Sequence, residues 1–163
     1  MNEATLSDQD GRYLRRAIEL SAHGRSRGNR PFGAVIVGDD GQVLAEAWCN
    51  TAETGDCTGH AETNAVREAS SRHGRDTLAR ATIYSSGEPC VMCAGAIFWS
   101  NIRRVVFGID AVSLRAFRGE RADQRDAQLS CRDVLNASPH PVEVIGPALV
   151  QEASQPHVGA WRT

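Results

Sequence analysis

The stretch TGHAETNAVREA, Thr58 to Ala69, decides the fold, because the pattern changes character on both sides of it. Ala61, Ala65, Val66 and Ala69 recur at helical spacing and predict a helix from about His60 to about His73 with those four as its buried stripe. Upstream, FGAVIVGDDGQVLAEAW reads as two short apolar runs joined by GDDG, a hairpin with turn residues at its centre. Downstream, ATIYSS is a third strand and RRVVFGI a fourth, separated by the apolar run CVMCAGAIFWS. Pro89 suits the first turn of a helix there, and the run is apolar enough to be buried on most sides. A hairpin followed by helix, strand, helix, strand predicts a three-layer α/β/α sandwich around a central mixed sheet of about five strands.

The flanks fit one domain spanning residues 1–163. Leu14, Ala17, Ile18 and Ala22 predict a first helix, started by Ser7 or Asp8 and ended by HGRSRGNRP. After the fourth strand, residues 110–137 form a variable charged segment in which Arg115, Arg118, Arg121 and Arg125 alternate with Glu120, Asp123 and Asp126, as in a solvated helix or loop. VEVIGPALVQEA then predicts a short strand, with 147–163 as a C-terminal helix and tail.

Composition narrows the class. A chain of 163 residues can bury one full core, and 41% hydrophobic with 23% charged residues is ordinary for a globular protein. No apolar run approaches the ~20 residues of a membrane span. The acidic, amphipathic start MNEATLSDQDGRYLRRAIEL is unlike a signal peptide, so the expectation is a cytoplasmic protein. A net charge of −2 argues against a nucleic-acid partner. All 18 basic residues are arginine, which reads as composition bias, since a functional demand would fall at particular positions. Five cysteines without an export signal point to reduced thiols and metal ligation.

Their spacing carries the chemistry. In SSGEPCVMC, Cys90 and Cys93 lie at i and i+3 and share a helix face in the first turn, where unpaired N–H groups stabilise thiolates. With His60 they supply two thiolates and an imidazole, a set that suits one Zn²⁺ and leaves a fourth tetrahedral position for water. His60 and Glu62, at i and i+2, cannot share a helix face, but both can reach an ion beyond the helix end. Glu62 is then close enough to handle a proton of water without ligating. Cys57 forms cysteine–x–x–histidine with His60, and as a fourth ligand it would close the site, so it reads as a small buried or loop thiol. Cys49, in a strand, and Cys131 read as core or surface thiols, and His23, His73 and His140 as surface residues.

HAE with PCVMC resembles the zinc-dependent cytidine deaminase superfamily, in which a glutamate beside the zinc centre serves as acid and base. The resemblance runs from about Arg30 to about Asp110. PFGAVIV and GAIFW look most like bacterial guanine deaminases, while EPCVMCAGAI and RRVVFG look equally like tRNA adenosine deaminases; Phe98 and Trp99 side with the small-base enzymes. It implies hydrolytic release of ammonia from a small-molecule aminated heterocycle, guanine first, with cytosine, a triazine or a nucleoside behind it and adenosine in tRNA as the alternative. By the same resemblance Glu62 carries protons, Asn50 and the Ala61 N–H contact the base, and Glu88 fixes the loop before the cysteines. Asp110 and Phe117 are further substrate candidates. Trp161 and His157 are candidates to cover the pocket, although a tryptophan packed on the neighbouring helix fits the sequence equally. A homodimer is implied too, with Ile97, Phe98 and Trp99 supplying the interface.

Overall fold

The computed structural model describes residues 2–119 and 127–161. Helix α1 (Asp8–Ser26) starts where Ser7 accepts the Asp10 N–H, satisfying one of the donors a helix start leaves open. The hairpin follows as β1 (Gly33–Val37) and β2 (Val43–Trp48), and then a short helix α2 (Thr51–Thr54). Helix α3 (Ala61–Arg72) has His60 as its N-cap, and the short α4 (Arg75–Ala79) leads into β3 (Thr82–Gly87). Helix α5 (Val91–Ser100), capped by Cys90, precedes β4 (Arg104–Ile109), and Asp110 caps α6 (Ala111–Arg118). The chain closes with α7 (Cys131–Leu135), β5 (Glu143–Ile145), α8 (Val150–Ser154) and a 3₁₀ turn at Gln155–His157.

The five strands lie in the order β2-β1-β3-β4-β5. β1 pairs antiparallel with both β2 and β3, while β3–β4 and β4–β5 are parallel, so the sheet is mixed as expected. Strand period 2 sorts the core into two layers. Ala34, Ile36, Ile83, Val105 and Phe107 face a cluster that includes Ala61, Ala65 and Val66 of α3 and Ala94 and Ile97 of α5. Val35, Val37, Tyr84 and Val106 face Leu14, Ala17 and Leu20 of α1. Helices therefore cover both faces, and the three-layer architecture holds.

Several details depart from the sequence reading. Ala22 is exposed, and Leu20, Ser21 and Gly24 complete the buried face of α1 in its place. Pro89 lies one residue before the N-cap of α5, outside the first turn. That helix is not buried on most sides: Trp99 is 75% exposed and Val91 39%. Within 110–137, α6 and α7 are helical and Leu114, Cys131 and Leu135 are buried, so this stretch contributes to the core. Glu120, Arg121, Asp123, Arg125 and Asp126 lie outside the described residues.

An ion-pair network ties the α1 layer to the sheet. Arg104 on β4 donates to both carboxylate oxygens of Asp10 at 2.8 and 2.7 Å, and to Glu143 at 3.2 Å. The Tyr84 hydroxyl also donates to Asp10, at 2.7 Å. Hydrogen bonding from Arg104, partly opposed by burial, holds the Asp10 carboxyl down to about 2.

Candidate active site

Topology brings the site together. β2, β3 and β4 all run in one direction and end at one edge of the sheet, where antiparallel β1 begins: Gly33 sits opposite Trp48, and Gly87 opposite Ile109. The segments leaving that edge supply Cys49, Glu88, Pro89, Cys90 and Ala111, and Phe32 precedes β1. Helix α3 opens on the same side. A cavity of about 590 Å³ lies among them, bounded further by Leu114, Arg115 and Arg118 of α6 and by Trp161. The carboxyl end of parallel strands is where open α/β sheets bind ligands.

His60, Cys90 and Cys93 bring their ligand atoms within 4.8 Å of one another, the one such group of His, Cys, Asp and Glu side chains among the described residues. The His60 Nδ1 is 3.5 Å from the Cys90 Sγ and 3.6 Å from the Cys93 Sγ. A tetrahedral Zn²⁺, bonded at ~2.0–2.1 Å to nitrogen and ~2.3 Å to sulfur, sets such atoms about 3.6 Å apart, so the residues present fit the ion. The Cys93 side chain, and then His60, hold the Cys90 thiol down to about 4 against its burial, the direction that favours the thiolate a metal takes. Cys90 and burial raise the Cys93 thiol, so binding of a metal there would be accompanied by release of a proton. The hydrogen bond with Cys90 raises His60. Cys57 lines the cavity but stands outside the three-ligand group, which leaves a fourth position open.

Glu62 lines the cavity too and is 4% exposed. Burial raises its carboxyl, and the hydrogen bond with Ser85 opposes that rise. The Ser85 Oγ is 2.7 Å from Glu62 Oε1 and 2.6 Å from the Gly87 carbonyl. Having one hydrogen, the hydroxyl donates to only one of them at a time. Period 2 turns Ser85 toward α3, a contact between elements that no local motif announces.

The remaining predicted site residues divide. Glu88 lines the cavity, and its two oxygens accept the first N–H groups of α6 and α7, from Ala111 at 3.4 Å and Cys131 at 3.3 Å. Trp161 also lines it. Asn50, Ala61, Asp110 and Phe117 are not among the lining residues. Asn50 lies between two that are, Cys49 and Thr51; its Oδ1 accepts the Asn64 amide at 3.0 Å, which leaves its N–H₂ as the donor end of the side chain. Asn64 is fixed in that sense because it also donates to the Trp48 carbonyl at 3.1 Å and accepts from Arg67 at 3.0 Å. Ala61 is the first residue of α3, where an N–H has no helical acceptor. Asp110 is buried, and its Oδ2 has no hydrogen-bond partner among the described residues. The Phe117 ring lies 6.1 Å from that of His157. Sequence reasoning missed Arg30, Phe32 and Leu114 as lining residues; each comes from a loop or helix that only the sheet order brings to this edge.

A fold of this kind, with three soft protein ligands and a buried carboxylate at one strand edge, defines a zinc hydrolase. Residues 7–109 match the cytidine and deoxycytidylate deaminase zinc-binding region, and the chain belongs to that family, making it a zinc-dependent deaminase. It is 42% identical over 161 residues to a protein of Schizosaccharomyces pombe named "Probable cytosine deaminase", covering 99% of this chain and 98% of that one. It is 40% identical over 99 residues to the guanine deaminase of Bacillus subtilis, covering 60% and 63% of the two chains. A solved structure from studies of tRNA:A34 deaminases, 28% identical, superposes with a TM-score of 0.70 over 90% of this chain and 99% of that one.

Proposed function

We propose that this deaminase acts on a free nucleobase, with cytosine first and guanine second, and that Glu62 moves the protons. The observation that carries the mechanism is the Glu62 carboxylate, buried at the cavity beside the three metal ligands. His60, Cys90 and Cys93 would hold the zinc, which would lower the pKa of water and so make it a nucleophile at neutral pH. Glu62 takes one proton from water and delivers it to a ring nitrogen as the C–O bond forms, then takes the second proton from the hydroxyl now on the ring carbon and gives it to the amine as the C–N bond breaks, so that base and water become an oxo-base and ammonia. A carboxyl raised by burial suits a group that must both accept and return a proton. The Asn50 amide and the Ala61 N–H orient the ring, while Glu88 holds the starts of α6 and α7.

The choice of a free base is supported by the cavity wall. Leu114, Arg118 and Trp161 lie beyond the zinc-binding region, and the alignment with the cytosine deaminase relative, over 99% of this chain, takes them in, whereas that with the guanine deaminase covers 60% of the chain. This ranks cytosine above guanine, which the PFGAVIV and GAIFW motifs put first. We extend the proposal to one domain acting as a homodimer through α5, whose Trp99 is exposed. The test is metal content with ammonia release: about one zinc per chain and turnover of cytosine or guanine are expected, and no release from either base overturns the substrate class.

The alternative substrate, adenosine in tRNA, is favoured by Arg30, Arg115 and Arg118 along the cavity. It requires tRNA binding that falls steeply with salt, as phosphate contacts release counterions. Absence of such binding at low salt removes it.

A further inference from the structure

His157 is 1% exposed, on the 3₁₀ turn after α8, and is not among the residues that line the cavity. An imidazole is an expensive filler for such a place: its Nε2 has no hydrogen-bond partner among the described residues, and a buried polar group without one is costly. Its other nitrogen has a definite task. The Trp161 indole N–H, which can only donate, reaches the His157 Nδ1 at 3.2 Å, so Nδ1 is the acceptor and the neutral ring carries its hydrogen on Nε2. The two ring planes differ by 3° with centroids 5.9 Å apart, so the bond fixes the tilt of the indole as well as its position. Phe32 meets both rings at 67°, 5.2 Å from His157 and 6.0 Å from Trp161. The guanidiniums of Arg30 and Arg118 lie 5.1 and 5.7 Å from the Trp161 ring centre. Burial, with Arg118 and Arg25 nearby, holds His157 down to about 4, so it remains an acceptor through the neutral range.

We propose that His157 is a positioning residue: through the hydrogen bond to Trp161 it holds the indole as a rigid aromatic wall on which the planar substrate ring stacks. The proposal rests on the reading that the cavity takes a free base. It assigns to one turn of the C-terminal tail the selection for flat heterocycles, at a distance from the groups that do chemistry. A wall whose tilt is preset costs less to order on binding than a freely turning side chain, so the expected signature is in affinity, with chemistry unchanged.

Three variants of the full zinc-loaded chain test this. H157F keeps an aromatic ring but no acceptor, H157N offers an Oδ1 near the place of Nδ1, and W161F removes the donor while leaving a ring. In H157F the indole N–H resonance of Trp161, assigned by its loss in W161F, is expected to shift and exchange faster. KM for cytosine, and the dissociation constant of 2-hydroxypyrimidine, which lacks an amine to release, should rise about tenfold, as expected for a lost base–aromatic stack. The kcat should stay within about twofold, with zinc at one per chain. H157N should recover most of the affinity, which a purely space-filling role would not allow, and H157F should add little in a W161F background. An unchanged Trp161 resonance in H157F, an unchanged affinity despite a shifted resonance, or full additivity with W161F overturns the proposal. Failure of the parent chain to release ammonia from any base, or to bind 2-hydroxypyrimidine, would instead overturn the reading of function, and the indole resonance reports the bond in either case.

Discussion

Glu62 and His60 are two residues apart and have opposite relations to the metal. His60 is the N-cap of α3 and turns its Nδ1 to the two sulfurs, while Glu62, inside the first turn, is hydrogen-bonded to Ser85. Glu62→Gln is therefore expected to keep about one zinc per chain while losing ~10²–10⁴ in kcat, the range for one positioned acid–base group. His60→Ala should lose zinc and activity together. Metal analysis beside steady-state rates separates the two, and a Glu62→Gln protein without zinc would reverse the assignment. At this scale the sequence was most legible, since His, Cys and Cys leave little choice of metal, although Cys90 is the extended N-cap of α5 and meets Cys93 from outside the first turn in which both were expected. Ser85 was illegible because its role exists only across the β3–α3 contact.

Between elements, close approach decides what is tolerated. A Cβ on Gly33 would come within 2.2 Å of the Ala17 carbonyl oxygen, which places the backbone of α1 hard against the start of β1. Gly33→Ala should destabilise the fold by roughly 1–3 kcal/mol, the usual cost of overpacking, seen as a lower thermal midpoint. Asp10 gives a pH-dependent counterpart. Its pKa in the folded chain, about 2, lies below the ordinary aspartate value of 3.8, so the stability it contributes is complete above about pH 4 and fades as the pH falls through 2. Relative to the parent, Asp10→Asn should cost about 2 kcal/mol at neutral pH, shrinking toward zero in that acid window, as followed by urea unfolding at several pH values. Long elements were readable from periodicity. The four- and five-residue helices α2, α4 and α7 were not, since one turn is too short to display a period, and the burial of Cys131 in a charged stretch depends on packing against α5; α8 falls within the C-terminal helix expected over 147–163.

At the scale of the molecule the metal ligands come from two helices, α3 and α5, about thirty residues apart and fixed by one sheet. An ion that binds the folded chain and not the unfolded one stabilises by mass action, so removal of zinc with a chelator should lower the thermal midpoint, and restored zinc should recover it. Cys57→Ala should leave both zinc content and that midpoint in place, because Cys57 stands outside the ligand group. The sandwich was legible from the order of elements, whereas the cavity was not: Phe32, Leu114 and Trp161 meet only because β1 runs against its neighbours. β3, third of the five strands, has a further consequence. Its backbone is paired on both sides and covered above and below, so its amide hydrogens should be among the slowest in the chain to exchange with deuterated solvent, needing nearly complete unfolding, while those of the edge strands β2 and β5 are replaced sooner. Glu88, Pro89 and Cys90 follow directly from the end of β3, so the metal is anchored to the segment that opens least often.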